Sequence, residues 1–387
     1  MPPPNSHQVL AVLPMLLQME DDDDFTMREM LRDDSNNDDV TLLAAALPPP
    51  AAELGRPEIG GQKISLSWLR SLTPRECLYR FRFHADEIAD LATAMQIPER
   101  VVTQNGCSFT RIEALGLLLA RFRSDADLLE LTTRYDRSVG AISQVVNELA
   151  IFLDEKWSHL LEFDTNGVLS PDSLQEYGDA LEASGVPSNS IWGFIDCTIR
   201  CISRPSRFQR QAYSGHKKKH ALKYQAVKAP NGHIAHLFGP MEGRRNDNAL
   251  LHESGLEQLH YQHALRPGAD ARTALNERYY QVFGDPAYGV RPWLLSGYPR
   301  LDLSREEHEW NVLMAEWRIE VEHGFADVVR LWPFTNAWWK HRIWSSPVGC
   351  YYRVAVLLTN ASNCLRPNQT SQYFNCQPPV LEEYFHT

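Results

Sequence analysis

The sequence has no CxxC pair, and its seven cysteines are an odd number. Together these exclude a disulfide framework and a zinc ribbon, and reduced thiols in an intracellular protein are the expectation. Long apolar runs are also missing. The stretch from Val9 to Leu17 is interrupted by Pro14 and has no basic residue leading into its apolar run, so it makes neither a secretory leader nor a membrane span. Without secretion, the sequons at Asn360 and Asn368 carry no meaning. Positive charge is scarce as well, with 38 Lys and Arg against 49 Asp and Glu and a formal net charge of -11. That balance argues against a nucleic-acid partner until the charge is located. Residues 1 to 60 hold twelve acids against Arg28, Arg32 and Arg56, which is -9 of the -11 and leaves -2 for the rest. The remaining chain is nearly neutral and can still carry a basic face.

What is present falls into four stretches of a 387-residue chain whose 43% hydrophobic content can fill a large core. Residues 1 to 60 mix proline triplets with acidic runs and read as a disordered acidic leader, in which Asp21 to Asp24 are solvated rather than a metal site. Residues 61 to 185 carry a helical pattern. Ile142, Val145, Val146, Leu149 and Leu153 follow amphipathic spacing. With the preceding Asp125 to Tyr135 segment they resemble a helix-turn-helix, in which Ser143, Gln144 and Asn147 are the evident base-reading groups. An ordinary helical hairpin fits that pattern equally well. Residues 190 to 360 change texture to strands and one long helix, and residues 361 to 387 read as a C-terminal tail.

The most informative stretch is the strand from Ile191 to Ile202. Side chains alternate along a strand, so Ile191, Gly193, Ile195, Cys197, Ile199 and Cys201 share one face and Trp192, Phe194, Asp196, Thr198 and Arg200 the other. An acid among bulky apolar neighbours needs a positive partner, either a metal ion or an arginine. Further along, Pro230-Asn-Gly232 signals a hairpin between Leu222 to Ala229 and His233 to Phe238. Arg278 to Phe283 reads as a short strand from whose end Asp285, held extended by Pro286, projects. Ser304-Arg-Glu-Glu307 fits a capping box opening a helix to about Leu331, with Glu322 one turn beyond Arg318. Strand, strand end and helix are three places from which Asp196, Asp285 and Glu322 can converge. Each acid also has an ordinary structural role open to it: a core ion pair with Arg200, a helix N-cap and an i, i+4 pair with Arg318. Glu320 competes with Glu322, but the two lie roughly 200° apart around the helix, so only one can face the site.

At these residues the sequence resembles the nuclease domain of Harbinger/PIF-type transposases and their domesticated relatives, the DDE superfamily endonucleases. The resemblance spans roughly residues 190 to 360. It rests on Ile195-Asp196-Cys-Thr198 with Arg204-Pro205, Tyr213-Ser-Gly-His-Lys217, Gly243-Arg-Arg-Asn-Asp247, Gly284-Asp-Pro-Ala-Tyr288 and Arg318-Ile-Glu-Val-Glu322, in that order. It departs from the family at Cys197, Asn246 and Ala326, none of which removes a carboxylate. The resemblance implies an α/β fold, an RNase H-like mixed sheet flanked by helices, after an all-α helix-turn-helix-like region. It implies Asp196, Asp285 and Glu322 as catalytic and metal-binding acids, Asp247 as a secondary candidate, and Mg²⁺ or Mn²⁺ as the cofactor. It also implies transposase chemistry and a separate Myb-like partner protein.

Between the first two acids lies the strongest positive tract, with no Asp or Glu from Cys197 through Pro240. Arg204, Arg207, Arg210, Lys217, Lys218, Lys219 and Lys223, followed by Arg244 and Arg245, are the candidate contacts to double-stranded DNA, since basic groups on phosphates supply most non-specific affinity. His233, His236, His216 and His220 lack partners at zinc-ligand spacing. The expectation is a nuclear, DNA-cleaving protein with no membrane partner, for which a homo-oligomer is an open option. Two rival classes are a domesticated DNA-binding or regulatory protein that keeps the fold without turnover, and a metal-dependent hydrolase of small phosphoesters, which would not need the basic tract.

Overall fold

The structure is a computed structural model and describes residues 58–299 and 302–386. The expected acidic leader lies outside the described residues except for its last three positions. The chain divides into two compact units, one combining the segment up to Lys63 with Ala126–Ser143, the other combining Ile64–Asp125 with Gln144–Thr387.

In the smaller unit the helix Leu128–Tyr135 starts on Asp127, whose carboxylate accepts from the Leu129 N–H, and stops where Asp136 turns left-handed. The chain around Gly60 runs along this helix end, with Gln62 N donating to Arg134 O at 3.1 Å. The helix Val139–Trp157 begins in this unit and continues into the larger one. Of the three base-reading candidates on it, Asn147 accepts a hydrogen bond from the Tyr351 hydroxyl and is committed to the interior.

The larger unit opens with helices Leu66–Ser71, Pro74–Phe81, Ala85–Ala94 and Arg111–Arg123. A two-stranded hairpin, β1 (Arg100–Val102) and β2 (Ser108–Thr110), interrupts this otherwise helical stretch. The helical pattern hid it, yet Asn105-Gly106 is a hairpin signal, and Gly106 has the positive φ of 78° that such a turn requires.

The main sheet is mixed. Its centre is β3 (Ile191–Cys201), which pairs antiparallel with β5 (Lys219–Lys228) and parallel with β7 (Gln281–Gly284). Beyond β7 lies β8 (Leu294–Ser296), and on the outer edge of β5 lie β6 (Ile234–Glu242) and the two residues of β4 (Tyr213–Ser214). The hairpin at Pro230 to Gly232 forms as its sequence requires, joining β5 to β6. Helices cover both faces. On the face of Asp196 lie α1 (Arg305–Leu331) and α2 (Val348–Leu365): a Cβ on Gly324 would stand 2.9 Å from Lys228 Cδ, and Tyr352 packs on Tyr224 at 4.6 Å between rings. On the face of Cys197 lies the helix Asp247–Glu253, with Ser254 just after its end hydrogen-bonded to Gln225, the residue opposite Cys197. This is the α/β class expected, a mixed sheet flanked by helices after a helical region. Among the described residues no helix is long and apolar enough to cross a membrane.

Three local expectations need correction. The strand read over Arg278 to Phe283 begins only at Gln281, because Arg278 turns back to donate to the carbonyls of Ala271 and Thr273 at 2.8 and 2.7 Å and closes a helical turn, Leu275–Arg278. The last packed helix begins at Val348 rather than Val354, since Tyr351 and Tyr352 are buried in it. The stretch 361 to 387, expected as a tail, is folded in over its described residues, 361 to 386: Asn368 caps a helix at Gln369–Phe374, and Phe374, Leu381, Tyr384 and Phe385 are buried.

Candidate active site on the central strand

The first half of β3 is buried on both faces and the second half is partly exposed, and Asp196 marks the change. The parallel register pairs Phe194 with Phe283. β7 ends at Gly284, and Asp285 follows it in extended backbone, as far beyond that pair along β7 as Asp196 is along β3. Gly284 leaves room for the side chains packed over it, since a Cβ there would meet Ile195 Cγ2 and the Tyr288 ring at 2.8 Å.

Across this face runs α1, started by the expected box: the Ser304 hydroxyl accepts from Glu307 N, and the Glu307 carboxylate accepts from Ser304 N. Val321, Phe325 and Val328 bury its apolar side, which fixes its rotation and brings Arg318 over β3. Arg318 Nη1 donates to Asp196 Oδ2 at 3.0 Å, and Arg318 Nη2 lies 3.3 Å from Glu322 Oε1. One guanidinium therefore holds two of the three acids. The arginine predicted for Asp196 is not Arg200, which turns to Thr198 Oγ1 at 2.7 Å and lies over the Tyr352 ring. The other Asp196 oxygen accepts from the Cys197 N–H at 2.7 Å. Burial raises the pKa of Asp196. The Cys197 N–H and Arg318 oppose that rise, whereas Asp247 and Glu322 add to it.

Glu320 takes a separate place. Its carboxylate faces Lys228 Nζ at 3.5 Å and the Thr370 hydroxyl at 3.0 Å, so Glu322 is the acid on this helix that shares a partner with Asp196. Asp285 accepts from Ala287 N at 2.8 Å, capping the turn Pro286–Tyr288. Asp247 stands over the opposite face, that of Cys197, where it is ion-paired with Lys223.

That pair corrects one expectation for the basic tract. Lys223 is buried, with Nζ also donating to Arg245 O at 3.0 Å, because it sits mid-strand on a covered face. It therefore cannot lie on a phosphate. Arg245 is drawn to Glu242 and Glu253 at 3.0 and 3.1 Å. Arg204, Arg207, Arg210, Lys217, Lys218, Lys219 and Arg244 are exposed. Sequence reasoning missed two contributors to that surface, Trp339 and Trp344, 44% and 60% exposed; the tryptophan-rich stretch after residue 332 was their signal.

Among the described residues no three His, Cys, Asp or Glu side chains are gathered closely enough to cage an ion. In charge and donor chemistry the acids nevertheless suit a hard divalent cation, which takes carboxylate oxygens. The guanidinium between Asp196 and Glu322 already marks a place where positive charge is bound.

Comparison with known proteins agrees over the sheet domain. Residues 195–360 match the family described as DDE superfamily endonuclease. The chain is also similar to "Protein ALP1-like" from Arabidopsis thaliana, 22% identical over 245 residues, which are 62% of this chain. The match spans 57% of that protein's length. No solved structure matches.

Proposed function

We propose that this chain is a divalent-metal-dependent, transposase-like endonuclease that acts on double-stranded DNA in the nucleus, with Asp196, Asp285 and Glu322 as its catalytic acids. The observation that supports this reading is the joining of Asp196 and Glu322 through Arg318 on the face crossed by α1, with Asp285 just past the end of β7, the strand that runs parallel beside β3. The three acids would hold Mg²⁺ or Mn²⁺, which when bound activates an attacking hydroxyl and stabilises the leaving oxygen. The rest of the work belongs to the chain's own residues. Burial keeps Asp196 in a poorly hydrated place where its charge needs a cation. Arg318 keeps Asp196 and Glu322 in mutual reach. Arg207, Arg210, Lys217 and Lys218 supply phosphate contacts without selecting a base.

The same clasp supports a second reading, a DNA-binding protein that no longer cuts, because Arg318 already neutralises two of the acids. One experiment separates the two. Supercoiled plasmid is incubated with the full chain and Mg²⁺ or Mn²⁺, beside Asp196→Asn, Asp285→Asn and Glu322→Gln. The nuclease reading expects metal-dependent nicking that falls by about 100-fold or more in every variant. DNA binding by the wild type without any nicking would give the second reading the field.

A further inference from the structure

Phe208 lies in the left-handed region with φ 59°, a conformation that disfavours a side chain, and its ring is 62% exposed. Trp344 stands beside it with ring centroids 6.1 Å apart and is 60% exposed. Nothing in the apolar interior accounts for these two rings in water, where a polar residue would sit at lower cost. Their surroundings are basic. Arg207 and Arg210 flank Phe208 in the chain, and Lys217 and Lys218 follow on the next exposed turn. Ser203 Oγ donates to the carbonyls of Trp338 and Trp339 at 3.0 and 2.9 Å, which pins the basic segment to the tryptophan-rich one. Lys219 Nζ lies 5.1 Å from the Trp338 ring, and the acid on that side is Asp125, which lines a cleft of about 350 Å³ with Lys219, Trp338 and Trp339. The chain from Cys197 through Pro240 contributes no carboxylate to this surface.

Duplex DNA meets a protein with phosphates and groove edges, for which the basic residues suffice. An exposed π face finds a stacking partner in a base that has left the stack. We infer that Phe208 and Trp344 form a stacking platform for an unpaired base, with Arg207, Arg210, Lys217 and Lys218 on the flanking phosphates. β3 runs five residues, roughly 17 Å, from Asp196 to its C-terminal end at Cys201, and Phe208 follows that end in the chain. A strand crossing the acid site could therefore have an opened nucleotide held there. This inference rests on the DNA-cleaving reading and narrows its substrate to DNA that is single-stranded or opened near the cut.

The test measures binding of the full chain to one fluorescein-labelled 20-nucleotide strand and to the blunt duplex of the same sequence, by polarisation over a salt series. The aromatic variants are Phe208→Gly, whose backbone suits the left-handed turn, and Trp344→Ala; the basic variant is Arg207→Ala with Arg210→Ala. Loss of one stacked base predicts single-strand affinity lower by about 5-fold to 100-fold in each aromatic variant. The salt slope and the duplex affinity should stay as in the wild type. The basic variant should weaken both ligands and flatten the salt slope by one to two. If the aromatic variants bind the single strand like the wild type while the basic variant is weak, the platform is overturned and the DNA reading stands. Binding of neither ligand by the wild type at low salt would overturn the DNA reading itself, and the platform with it. Aromatic variants weakened equally on strand and duplex would also overturn the platform, as a surface whose rings serve only its shape.

Discussion

Two cations meet α1 and are used in opposite ways. Lys228 is 2% exposed, its ammonium donates to Thr370 Oγ1 at 2.8 Å and faces Glu320, and Thr370 in turn donates to that same carboxylate. Every partner is used, and Glu320, 20% exposed with its other oxygen 3.4 Å from His323 Nδ1, opens little to water. Arg318, two residues from Glu320 on the helix, gives one nitrogen to Asp196 and one to Glu322, and Glu322 is 53% exposed. The first cluster is closed and can only hold the helix to the sheet. The second is open on one side, so its partners can be exchanged. The ion pair alone does not mark a functional group; access does.

Lys228→Met should break this contrast most sharply. It leaves Glu320 without its cation and should cost about 3–5 kcal/mol in urea unfolding, with much of that regained when Glu320→Leu is added. A smaller loss comes with acid. His260 is fully buried, accepts from Trp192 Nε1 at 3.2 Å and lies 2.9 Å from Leu256 O, so it is held neutral and burial pushes its pKa down to about 3. The unfolded chain binds the proton that the folded one refuses. Stability contributed by neutral His260 is therefore present above about pH 6.5 and lost as pH falls toward the folded value. By pH 5 the wild type should have lost about 2 kcal/mol through this residue, measured as a difference in unfolding free energy that His260→Gln does not show. Smallest is Arg318→Met. Glu322 can still reach water and Asp196 keeps the Cys197 N–H, so the expected cost is about 1–2 kcal/mol; a loss as large as that of Lys228→Met would erase the distinction between closed and open.

How much of this was legible in the sequence follows the range of the interactions involved. The capping box at Ser304 and Glu307 and the hairpin at Pro230 to Gly232 are read within a few residues, and both form as written. Alternation along β3 flagged Asp196 as an acid needing a positive partner, and Arg318 supplies one. Its identity was not legible, because Arg318 lies 122 positions away and a nearer arginine shared the strand face. Lys223 misled for the same reason. Inside a run of basic residues it looks like one more surface charge, and only the pairing of β5 with β3, together with the helix that carries Asp247, turns it inward. The ordinary contacts of the acids also form, Asp285 as a cap and Glu322 as an i, i+4 partner. Such contacts and a place in the cluster are compatible.

The parallel pairing of β3 with β7 also bears on when such a chain becomes competent. Asp196 and Asp285 are 89 positions apart, and the hairpin of β5 and β6 and, after it, three further helices lie between their strands in the chain. Local hairpins close in microseconds, whereas contacts this far apart must first overcome the entropy of closing a long loop and form late. A partly folded chain therefore carries its acids separately and its basic surface early. On the proposed reading, such a chain would adhere to DNA before it could act on it.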